Sequence, residues 1–547
     1  MKSIITIIAI MIICSPRDTS SQVSQQWAKR YNSTGTANDY ARAITFDAAG
    51  NVYVTGSANN DYLTIKYSPS GDTLWKAVYS GPANDNDTPK DIYVDAAGNV
   101  YITGSSFGNS SETDYATIKY DANGNQLWVQ RYNGTNNDND EAVSVAVDGS
   151  GNVYAGGWSS TLSGSTDFVI VKYSPAGSQL WTRTYNGTSG GNEFMSKMII
   201  DAAGNIYAAG RSRGVSNDDF LTVKYNSSGT LQWASRLDGN GNGNDDAVSL
   251  TVDNLGNVIV TGYTLGNGTA KDYTTVKYNN AGVQQWIKNY NRISASEDVP
   301  VGIVNDQQGN VYITGYCTGL NTTSLDYMTI AYNSNGTQLW AKSFNSGLVG
   351  ADDKASSIDI DGSGNIYVTG STISSGSDFD FGTVKYSPAG EVQWTILYEN
   401  IVAVDDNAVM VKADNNGNVY VTGLSSGFSG VDFMTVKYSQ PIGITQLGTE
   451  VPEGFSLGQN YPNPFNPVTN IRIQMPNSGL VKLTVFDITG KETAVLINGN
   501  LSAGTYNIDF DASHLASGTY FYRMVVGDNT HKGENGFTDV KKMILVK

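Results

Sequence analysis

The chain has very little histidine or cysteine, with two of each in 547 residues. His514 and His531 are both near the C-terminus, so the preceding residues cannot form Ser–His or Cys–His nucleophile systems or histidine-rich metal sites. Removal of an N-terminal leader that contains Cys14 would leave Cys317 alone. We therefore expect a protein that is held together by packing and not by disulfide bonds.

Charge is also scarce: 16% of the residues are charged, against roughly 25% in ordinary domains. The 51 acidic residues outnumber the 34 basic ones, and the net charge of −17 disfavours nucleic acid and anionic membranes as partners. The 60 glycines and the aromatic content of 11% are typical of short strands joined by tight turns, and not of helix bundles or disorder. The length predicts at least two domains.

The N-terminus has the pattern of a signal peptide at residues 1–21. Lys2 precedes an apolar run from Ile4 to Ile13, and polar residues follow from Ser15. The run is too short to cross a bilayer as a helix, and cleavage is expected near Ser21. Cys14 at the end of the run leaves lipoprotein processing as an alternative.

An internal repeat covers most of the chain. The segment Gly-Asn-Val-Tyr-Val-Thr-Gly and its variants recur at intervals of 48 to 55 residues, each with four strand signals and an Asp-x-x-Gly-Asn turn. Such periodicity indicates a repeat architecture. We predict an all-β fold with an eight-bladed β-propeller of four-stranded antiparallel blades at residues 22–438. The copies begin at Gly50, Gly98, Gly151, Gly204, Gly256, Gly309, Gly364 and Gly417.

The ends of the repeat region are complementary. The last repeat ends at Tyr438 without the tryptophan-containing fourth strand, and that strand is found instead around Trp27. We predict that the Trp27 strand closes the ring, which leaves no exposed strand edge. We interpret the equivalent tryptophans as packing residues between blades, with a sugar-binding platform as the alternative. They are Trp27, Trp75, Trp128, Trp181, Trp233, Trp286, Trp340 and Trp394.

The unit Trp-x-x-x-Tyr, an acidic loop and Asp-x-x-Gly-Asn-Val-Tyr-Val-Thr-Gly resembles the SBBP β-propeller repeat of exported bacterial proteins over residues 25–438. This resemblance implies a secreted or surface propeller and fixes neither ligand nor reaction. The Gly-x-x-Leu-Trp element also resembles the quinoprotein propeller repeat, which would imply a quinone-dependent dehydrogenase. The adjacent cysteine pair of that family has no counterpart in this sequence.

The C-terminal part has a different character. Residues 439–454 lack the repeat and are predicted to be a linker. Residues 455–547 contain alternating apolar runs that predict a small β-sandwich. This segment has a net charge of +1, whereas the rest of the chain has −18. The change in charge supports a separate domain.

Residues 455–547 resemble the type A sorting domain of the type IX secretion system. The resemblance also includes Val485–Gly490, Leu515–Arg523 and the tail Lys541–Lys547. It implies an Ig-like sandwich, interaction with the secretion machinery, and delivery to the surface or exterior of a Gram-negative cell. It also implies cleavage in or near 439–454. The sorting motif consists of Tyr461, Pro462, Asn463, Pro464, Phe465, Asn466 and Pro467.

Each repeat carries an acidic residue just before its first strand. If that strand is the innermost one, the carboxylates surround the axial opening and offer oxygens to a hard cation such as Ca²⁺. The alternative, which we favour, is that each acid accepts backbone hydrogen bonds and fixes its own loop. The residues are Asp39, Asp87, Asp140, Glu193, Asp245, Asp298, Asp353 and Asp406.

A second feature breaks the symmetry of the repeat. The residue after the closing glycine of the second strand is large in four consecutive repeats: Trp158, Arg211, Tyr263 and Tyr316. Such side chains are suited to stacking on sugars or to anchoring a protein partner. Alternatively, they fill gaps under longer loops.

The combined features predict a non-catalytic binding or structural module at the cell surface. We expect a monomer without catalytic residues or a resident cofactor, with Ca²⁺ as an open possibility and a glycan or surface protein as partner. The alternative is a carbohydrate-active enzyme that uses two carboxylates on the loop-rich face.

Overall fold

The computed structural model describes residues 23–547 with short gaps. The predicted signal peptide with Cys14, and both His514 and His531, lie outside the described residues. The gaps are 34–37, 84, 188–189, 215, 240, 242, 266–269, 294–295, 321–323, 349, 374–377, 399–403, 428–429, 441–443, 449–450, 502, 513–514 and 528–535.

The described chain consists of strands and turns and separates into two compact units, Ser24–Ser439 and Gln440–Lys547. Among the described residues, no helix is long and apolar enough to cross a membrane. The larger unit contains eight antiparallel sheets of four strands each. The all-β propeller fold expected from the repeat is confirmed.

The N-terminal strand β1 (Ser24–Tyr31) pairs with the last sheet, and each of the next four sheets takes its strands in chain order. Sheet 1 has β2 (Tyr40–Phe46), β3 (Val52–Ala58), β4 (Asp61–Tyr67) and β5 (Thr73–Tyr79). Sheet 2 has β6 (Asp87–Val94), β7 (Val100–Phe107), β8 (Thr113–Tyr120) and β9 (Gln126–Tyr132). Sheet 3 has β10 (Asp140–Val147), β11 (Val153–Ser160), β12 (Thr166–Tyr173) and β13 (Gln179–Tyr185). Sheet 4 has β14 (Glu193–Ile200), β15 (Ile206–Arg213), β16 (Asp218–Tyr225) and β17 (Leu231–Leu237).

The remaining four sheets follow the same order, except that the last one takes β1 as its fourth strand. Sheet 5 has β18 (Asp246–Val252), β19 (Val258–Leu265), β20 (Lys271–Tyr278) and β21 (Gln284–Tyr290). Sheet 6 has β22 (Asp298–Asn305), β23 (Val311–Thr318), β24 (Leu325–Tyr332) and β25 (Gln338–Phe344). Sheet 7 has β26 (Lys354–Ile360), β27 (Ile366–Thr372), β28 (Asp380–Tyr386) and β29 (Val392–Tyr398). Sheet 8 has β30 (Asp406–Ala413), β31 (Asn418–Gly427), β32 (Gly430–Ser439) and β1.

The ring closes where the N-terminal strand was predicted to close it. Strand β1 runs antiparallel to β32, with Trp27 opposite Lys437. The first strand of each sheet packs on the first strand of the next, and β2 packs on β30 and β31. The closure of the ring through Trp27 is therefore confirmed.

The turn between the first two strands follows from the side chain of its aspartate. In sheet 1, Asp47 Oδ1 accepts the N–H groups of Ala49 and Asn51 at 3.0 and 2.9 Å, and Gly50 adopts a positive φ of 78°. The Oδ2 atom of Asp47 accepts a 2.9 Å hydrogen bond from the Tyr53 hydroxyl. This local chemistry is typical of a tight turn, and it recurs around the ring.

The fourth-strand tryptophans join neighbouring sheets. Trp27 in sheet 8 donates from Nε1 to the carbonyl of Pro69 in sheet 1 at 3.1 Å, and Trp75 in sheet 1 does the same to Ala122 in sheet 2. The turn glycine beside Trp27 is Gly71, where a Cβ atom would lie 2.8 Å from the indole. These contacts agree with the interpretation of the tryptophans as packing residues.

The second unit contains two four-stranded sheets. One has β33 (Ile444–Gly448), β34 (Ser456–Leu457), β35 (Val468–Met475) and β38 (Gly504–Asp511). The other has β36 (Gly479–Phe486), β37 (Glu492–Leu501), β39 (Gly518–Gly527) and β40 (Phe537–Leu545).

The two sheets of this unit share one hydrophobic core. Strand β33 lies within residues 439–454, which were expected to be a linker, so that expectation is wrong for residues 444–448. The reason is non-local, because these residues pair with β38, about 60 positions further along the chain.

Candidate functional site

The eight acids that precede the first strands, which we call the ring acids, are buried. Their exposed fractions are 0–1%. Their burial agrees with the favoured interpretation, in which each acid fixes its own loop. In sheet 3, for example, Asp140 accepts the N–H groups of Gly134 at 2.5 Å and Ser160 at 3.2 Å. In sheet 7, Asp353 accepts the N–H of Ser346 at 2.9 Å. The carboxylates turn back onto their own loops, and these loops cover them.

Burial raises the pKa of several of these acids, most clearly those of Asp245 and Asp298. Desolvation raises the pKa of Asp245 to about 6, and repulsion from Asp238 and Asp219 adds to this effect. Hydrogen bonds from the N–H groups of Gly239 and Leu265 lower the pKa but do not outweigh it. Desolvation also raises the pKa of Asp298 to about 6. Asp245 and Asp298 therefore resist ionisation.

A second set of aspartates lies at the start of the third strands, and sequence analysis did not assign it to a site. The sequence of every repeat shows an aspartate at the start of its third-strand segment. Several of them interact electrostatically with the first-strand acid of the following sheet, so that two carboxyl groups meet where two sheets join. They are Asp61, Asp114, Asp167, Asp219, Asp272, Asp326, Asp380 and Asp432.

Arginine side chains neutralise four of these aspartates, which belong to sheets 2, 4, 6 and 8. The pairs are Arg131–Asp114 at 2.7 Å, Arg236–Asp219 at 2.5 Å, Arg292–Asp326 at 2.8 Å and Arg30–Asp432 at 2.5 Å. In sheets 2, 4 and 8 the arginine stands three residues after the fourth-strand tryptophan. Sheet 3 has Thr184 at that position.

Three carboxylates from sheets 4 and 5 lie within 4.8 Å of one another: Asp219, Asp238 and Asp245. Oxygen clusters of this kind attract hard cations. Here, however, Asp219 already has Arg236 as its counter-charge. The side chain of Asn217 also donates to Asp219 at 3.2 Å. The arrangement is satisfied by protein groups to a large extent.

The large residues that break the repeat symmetry belong to a chain of contacts across adjacent sheets. The rings of Trp158 in sheet 3 and Phe194 in sheet 4 meet edge to face, with centroids 5.2 Å apart. The guanidinium of Arg211 lies 4.5 Å from the centroid of Phe194, and Arg211 Nη1 contacts Asp246 of sheet 5 at 3.0 Å. Aromatic and guanidinium planes are thus held together in one place.

The chain of contacts continues into sheets 5 and 6. Asp246 stands opposite Tyr263 in the strand pairing. The Lys271 ammonium lies 4.6 Å from the centroid of the Tyr263 ring and 3.7 Å from Glu297 Oε1. Burial raises the pKa of Tyr316, with the charge of Glu297 as a further cause. We call Trp158, Phe194, Arg211, Asp246, Tyr263, Lys271 and Tyr316 the arc.

The four arc residues that the sequence singled out lie inside second strands, and not in the loops after them. All four are half-buried. Sequence reasoning missed Phe194, Asp246 and Lys271. Phe194 and Asp246 directly follow the ring acids Glu193 and Asp245. The residue type at this position differs in every repeat, and this variation could have identified them in the sequence.

A cavity of about 480 Å³ lies among first strands of the ring, lined in part by Tyr93, Met198, Ile199 and Met410. Two ion pairs occur in this region, Asp91–Lys197 at 3.3 Å and Asp359–Lys412 at 3.2 Å. The charge of Asp359 is the main cause of the raised pKa of Lys412. The sequence analysis did not assign these residues to a site.

Side chains of the first strands also join neighbouring sheets in this region. The Val145 N–H donates to Asp91 at 3.1 Å, and the Met198 N–H donates to Ser144 Oγ at 3.1 Å. The first strand of each sheet is an edge strand, so its outward N–H groups need acceptors. Polar side chains here serve this structural need, which accounts for their presence in an otherwise apolar strand.

The sorting motif of the second unit is tied to the C-terminal strand. Asn463 accepts the Ile544 N–H at 2.9 Å, and the Phe465 N–H donates to the Ile544 carbonyl at 2.9 Å. Phe465 is 2% exposed, whereas Tyr461 is 81% exposed. The structure therefore brings together the proline-rich motif and the basic-apolar tail that carried the resemblance.

Comparison with protein families agrees with both parts of the chain. A family of β-propeller repeats, SBBP, matches residues 26–62, 79–110 and 347–377. The family described as a secretion system C-terminal sorting domain matches residues 459–534. The sorting domain indicates export by the type IX secretion system to the cell surface or the extracellular space, and interaction with that machinery.

Individual proteins resemble the chain more distantly. An uncharacterized WD repeat-containing protein of Acanthamoeba polyphaga mimivirus is 25% identical over 255 residues, which cover 42% of this chain and 15% of that protein. Sqt1 from Chaetomium thermophilum is 8% identical, with a TM-score of 0.47 and coverage of 77% of this chain and 100% of that chain.

The β-propeller domain of the Trilobed protease from Pyrococcus furiosus is 9% identical, with a TM-score of 0.32. The match covers 60% of this chain and 88% of that chain. The repeats, the four-stranded sheets and the tail are what define the molecule. The chain thus contains SBBP-type β-propeller repeats and a C-terminal secretion-system sorting domain.

Proposed function

We propose that the propeller is a non-catalytic binding module and that the arc binds a glycan. The observation that carries this proposal is the continuous contact from Trp158 through Phe194 and Arg211 to Asp246, across three adjacent sheets. Such a feature is absent from the repeat consensus. A rigid ring that presents one asymmetric, half-exposed surface is suited to binding.

The chemistry of the arc fits a polar ligand with apolar faces. The rings of Trp158 and Tyr263 can stack on the C–H face of a sugar. Arg211, Asp246 and Lys271 can exchange hydrogen bonds with hydroxyl groups, because their side chains are only partly buried. Ion pairs of Arg211 with Asp246 and of Lys271 with Glu297 hold these side chains in position before a ligand arrives, which lowers the entropic cost of binding.

The burial of the ring acids disfavours the enzyme alternative. Glycoside hydrolysis needs two carboxyl groups that reach the substrate. The first-strand acids are 0–1% exposed and accept hydrogen bonds from their own loops. They would have to leave these positions to act on a polysaccharide, so the proposal is binding without turnover.

A glycan array with the purified protein tests the proposal. We expect at least one polysaccharide class to bind without release of hydrolysis products. Trp158→Ala and Tyr263→Ala should each weaken binding about tenfold, equivalent to about 1.4 kcal/mol per lost stacking contact. Tyr40→Ala is the matched control, because Tyr40 is a half-buried aromatic at the equivalent level of sheet 1.

Two outcomes would contradict the proposal. Equal loss of binding in Tyr40→Ala would show that the arc has no special role. Turnover of a bound glycan would show that the module is an enzyme. Thermal melts of each variant separate loss of binding from loss of folding.

The sorting domain gives a prediction on delivery. Deletion of residues 455–547 should trap the propeller in the periplasm, because the segment that engages the secretion machinery is gone. Cell fractionation and surface labelling measure the distribution. The control variant Ile488→Ala changes a side chain that is 73% exposed in a turn and should be delivered normally. Surface delivery of the truncated chain would overturn the assignment.

A further inference from the structure

The contact between sheets 3 and 4 contains two buried carboxyl groups and lacks the arginine found at the equivalent place in sheets 2, 4 and 8. Asp167, at the start of β12, is 6% exposed, and Glu193, at the start of β14, is fully buried. Asp167 Oδ1 and Glu193 Oε2 have no hydrogen-bond partner within the described part of the chain. A buried carboxylate without a partner is costly.

The two residues are neighbours because their strands are joined. The Thr166 N–H donates to Asn192 Oδ1 at 3.0 Å, which fixes the start of β12 beside the start of β14. Glu193 Oε1 accepts a 2.8 Å hydrogen bond from Ser212 Oγ, which leaves Oε2 for another partner. The repulsion of Glu193 is one cause of the raised pKa of Asp167, after desolvation.

The charges around this place do not supply the missing partner. The charge of Arg236 acts on Glu193, but the Nη2 atom of Arg236 binds Asp219 at 2.5 Å and the Ser212 carbonyl at 3.1 Å. In sheets 2, 4 and 8 an arginine stands at the position that Thr184 occupies in sheet 3. Thr184 lies opposite Val169, as Arg131 lies opposite Ala116 in sheet 2.

We propose that Asp167 and Glu193 bind a hard divalent cation, Ca²⁺, where sheets 3 and 4 meet. The cation takes the place of the arginine, and the two unpartnered carboxylate oxygens are its protein ligands. Ca²⁺ accepts several oxygen ligands in flexible geometry, including carbonyl groups and water. Binding joins two consecutive sheets of the ring and is independent of the glycan proposed for the arc.

Calorimetry and thermal melts of the purified full chain, first treated with EDTA, test the proposal with Ca²⁺ alone as the probe. We expect one bound Ca²⁺ and a rise in Tm of several degrees at saturating Ca²⁺, because a ligand that binds only the folded state stabilises it. Asp167→Asn should abolish both. Thr184→Arg should also abolish both, while raising the Tm measured in EDTA, because it introduces the arginine that sheets 2, 4 and 8 have at this position.

The variant Leu180→Arg is the control for added charge. Leu180 and Thr184 are both exposed residues of β13, but Leu180 lies at the end of the strand that pairs with Lys172 and Tyr173, away from Asp167. This variant should therefore keep the response to Ca²⁺. The proposal fails if the wild-type Tm does not respond to Ca²⁺. It also fails if Asp167→Asn and Thr184→Arg keep the response. Since Thr184→Arg retains both carboxyl groups, a folding defect of Asp167→Asn leaves the test decisive.

Discussion

Replacing Trp27 by alanine is expected to lower the free energy of unfolding of the propeller by about 3–4 kcal/mol, in the range measured for large buried aromatic residues. Trp27 is 8% exposed. Its ring lies 5.8 Å from that of Tyr67 in sheet 1, and its Nε1 atom donates to Pro69 of the same sheet. The side chain thus connects sheet 8 to sheet 1, where the two ends of the repeat region meet.

Chemical denaturation followed by fluorescence and circular dichroism measures this effect. Gln26→Ala, on the exposed side of the same strand, should change the free energy of unfolding by less than about 0.5 kcal/mol. A Trp27→Ala variant as stable as the wild type would mean that closure by β1 contributes little to stability.

Arg30 provides an independent check of the same closure. Its guanidinium pairs with Asp432, which is 2% exposed, so Arg30→Ala leaves a buried carboxylate without its partner. We place the cost at about 3 kcal/mol. The double variant Arg30→Met with Asp432→Asn removes both charges and should recover part of this loss in the same denaturation experiment. Equal stability of the single and double variants would contradict the argument.

The sequence predicted those parts of the fold that depend on local chemistry or on the period of the repeat. The Asp-x-x-Gly-Asn turn is such a feature, because Asp47 satisfies the N–H groups of its own turn. The closing role of Trp27 also followed from counting strands. By contrast, β33 could not be predicted, since a five-residue strand depends on a distant partner.

The candidate site was predicted less completely, for reasons of register and orientation. Trp158 and Arg211 could be identified because they interrupt a repeat. Their contact through Phe194 depends on the strand pairing, which shifts at Met195 and Lys197 in sheet 4, and on how sheets 3 and 4 pack. For a similar reason, the sequence could not predict whether the ring acids are buried. A pattern shows where a carboxyl group is, but its direction depends on loop N–H groups that are folded around it.

The burial of these acids leads to an unusual dependence of stability on pH. In EDTA, the free energy of unfolding is expected to fall as the pH rises from about 4 to about 6 and to level off above that range. The folded-state pKa values of Asp245 and Asp298 are raised to about 6, whereas the unfolded chain titrates near the ordinary value of about 3.9. Between these values the folded state holds more protons, so acidification favours it.

The turn aspartates act in the opposite direction at lower pH. Burial of Asp47 opposes its ionisation, but hydrogen bonds from Asn51 and Tyr53 outweigh this and hold its pKa below the ordinary value. Asp95, Asp148 and Asp201 behave in the same way. Their contribution is present above the unfolded-state pKa and is lost as the pH falls through their folded-state values. The two trends meet near the ordinary aspartate pKa, so stability should peak at about pH 4.

Asp298→Asn isolates the contribution of one buried acid. The amide oxygen can keep the 2.8 Å hydrogen bond from the Arg292 N–H, and the amide nitrogen replaces an oxygen that has no partner within the described residues. We expect the variant to be more stable than the wild type by about 1–2 kcal/mol at neutral pH, and equally stable near pH 4, because a shift of one pKa unit corresponds to about 1.4 kcal/mol.

The variant Asp47→Asn should show the reverse pattern, with its greatest loss of stability at neutral pH. Urea denaturation of the wild type and both variants across this pH range measures the differences directly. If Asp298→Asn changed stability equally at all pH values, its effect would come from packing and not from the carboxylate charge. Agreement with the expected profile would mean that the buried carboxyl group of Asp298 lowers the stability of the ring at neutral pH.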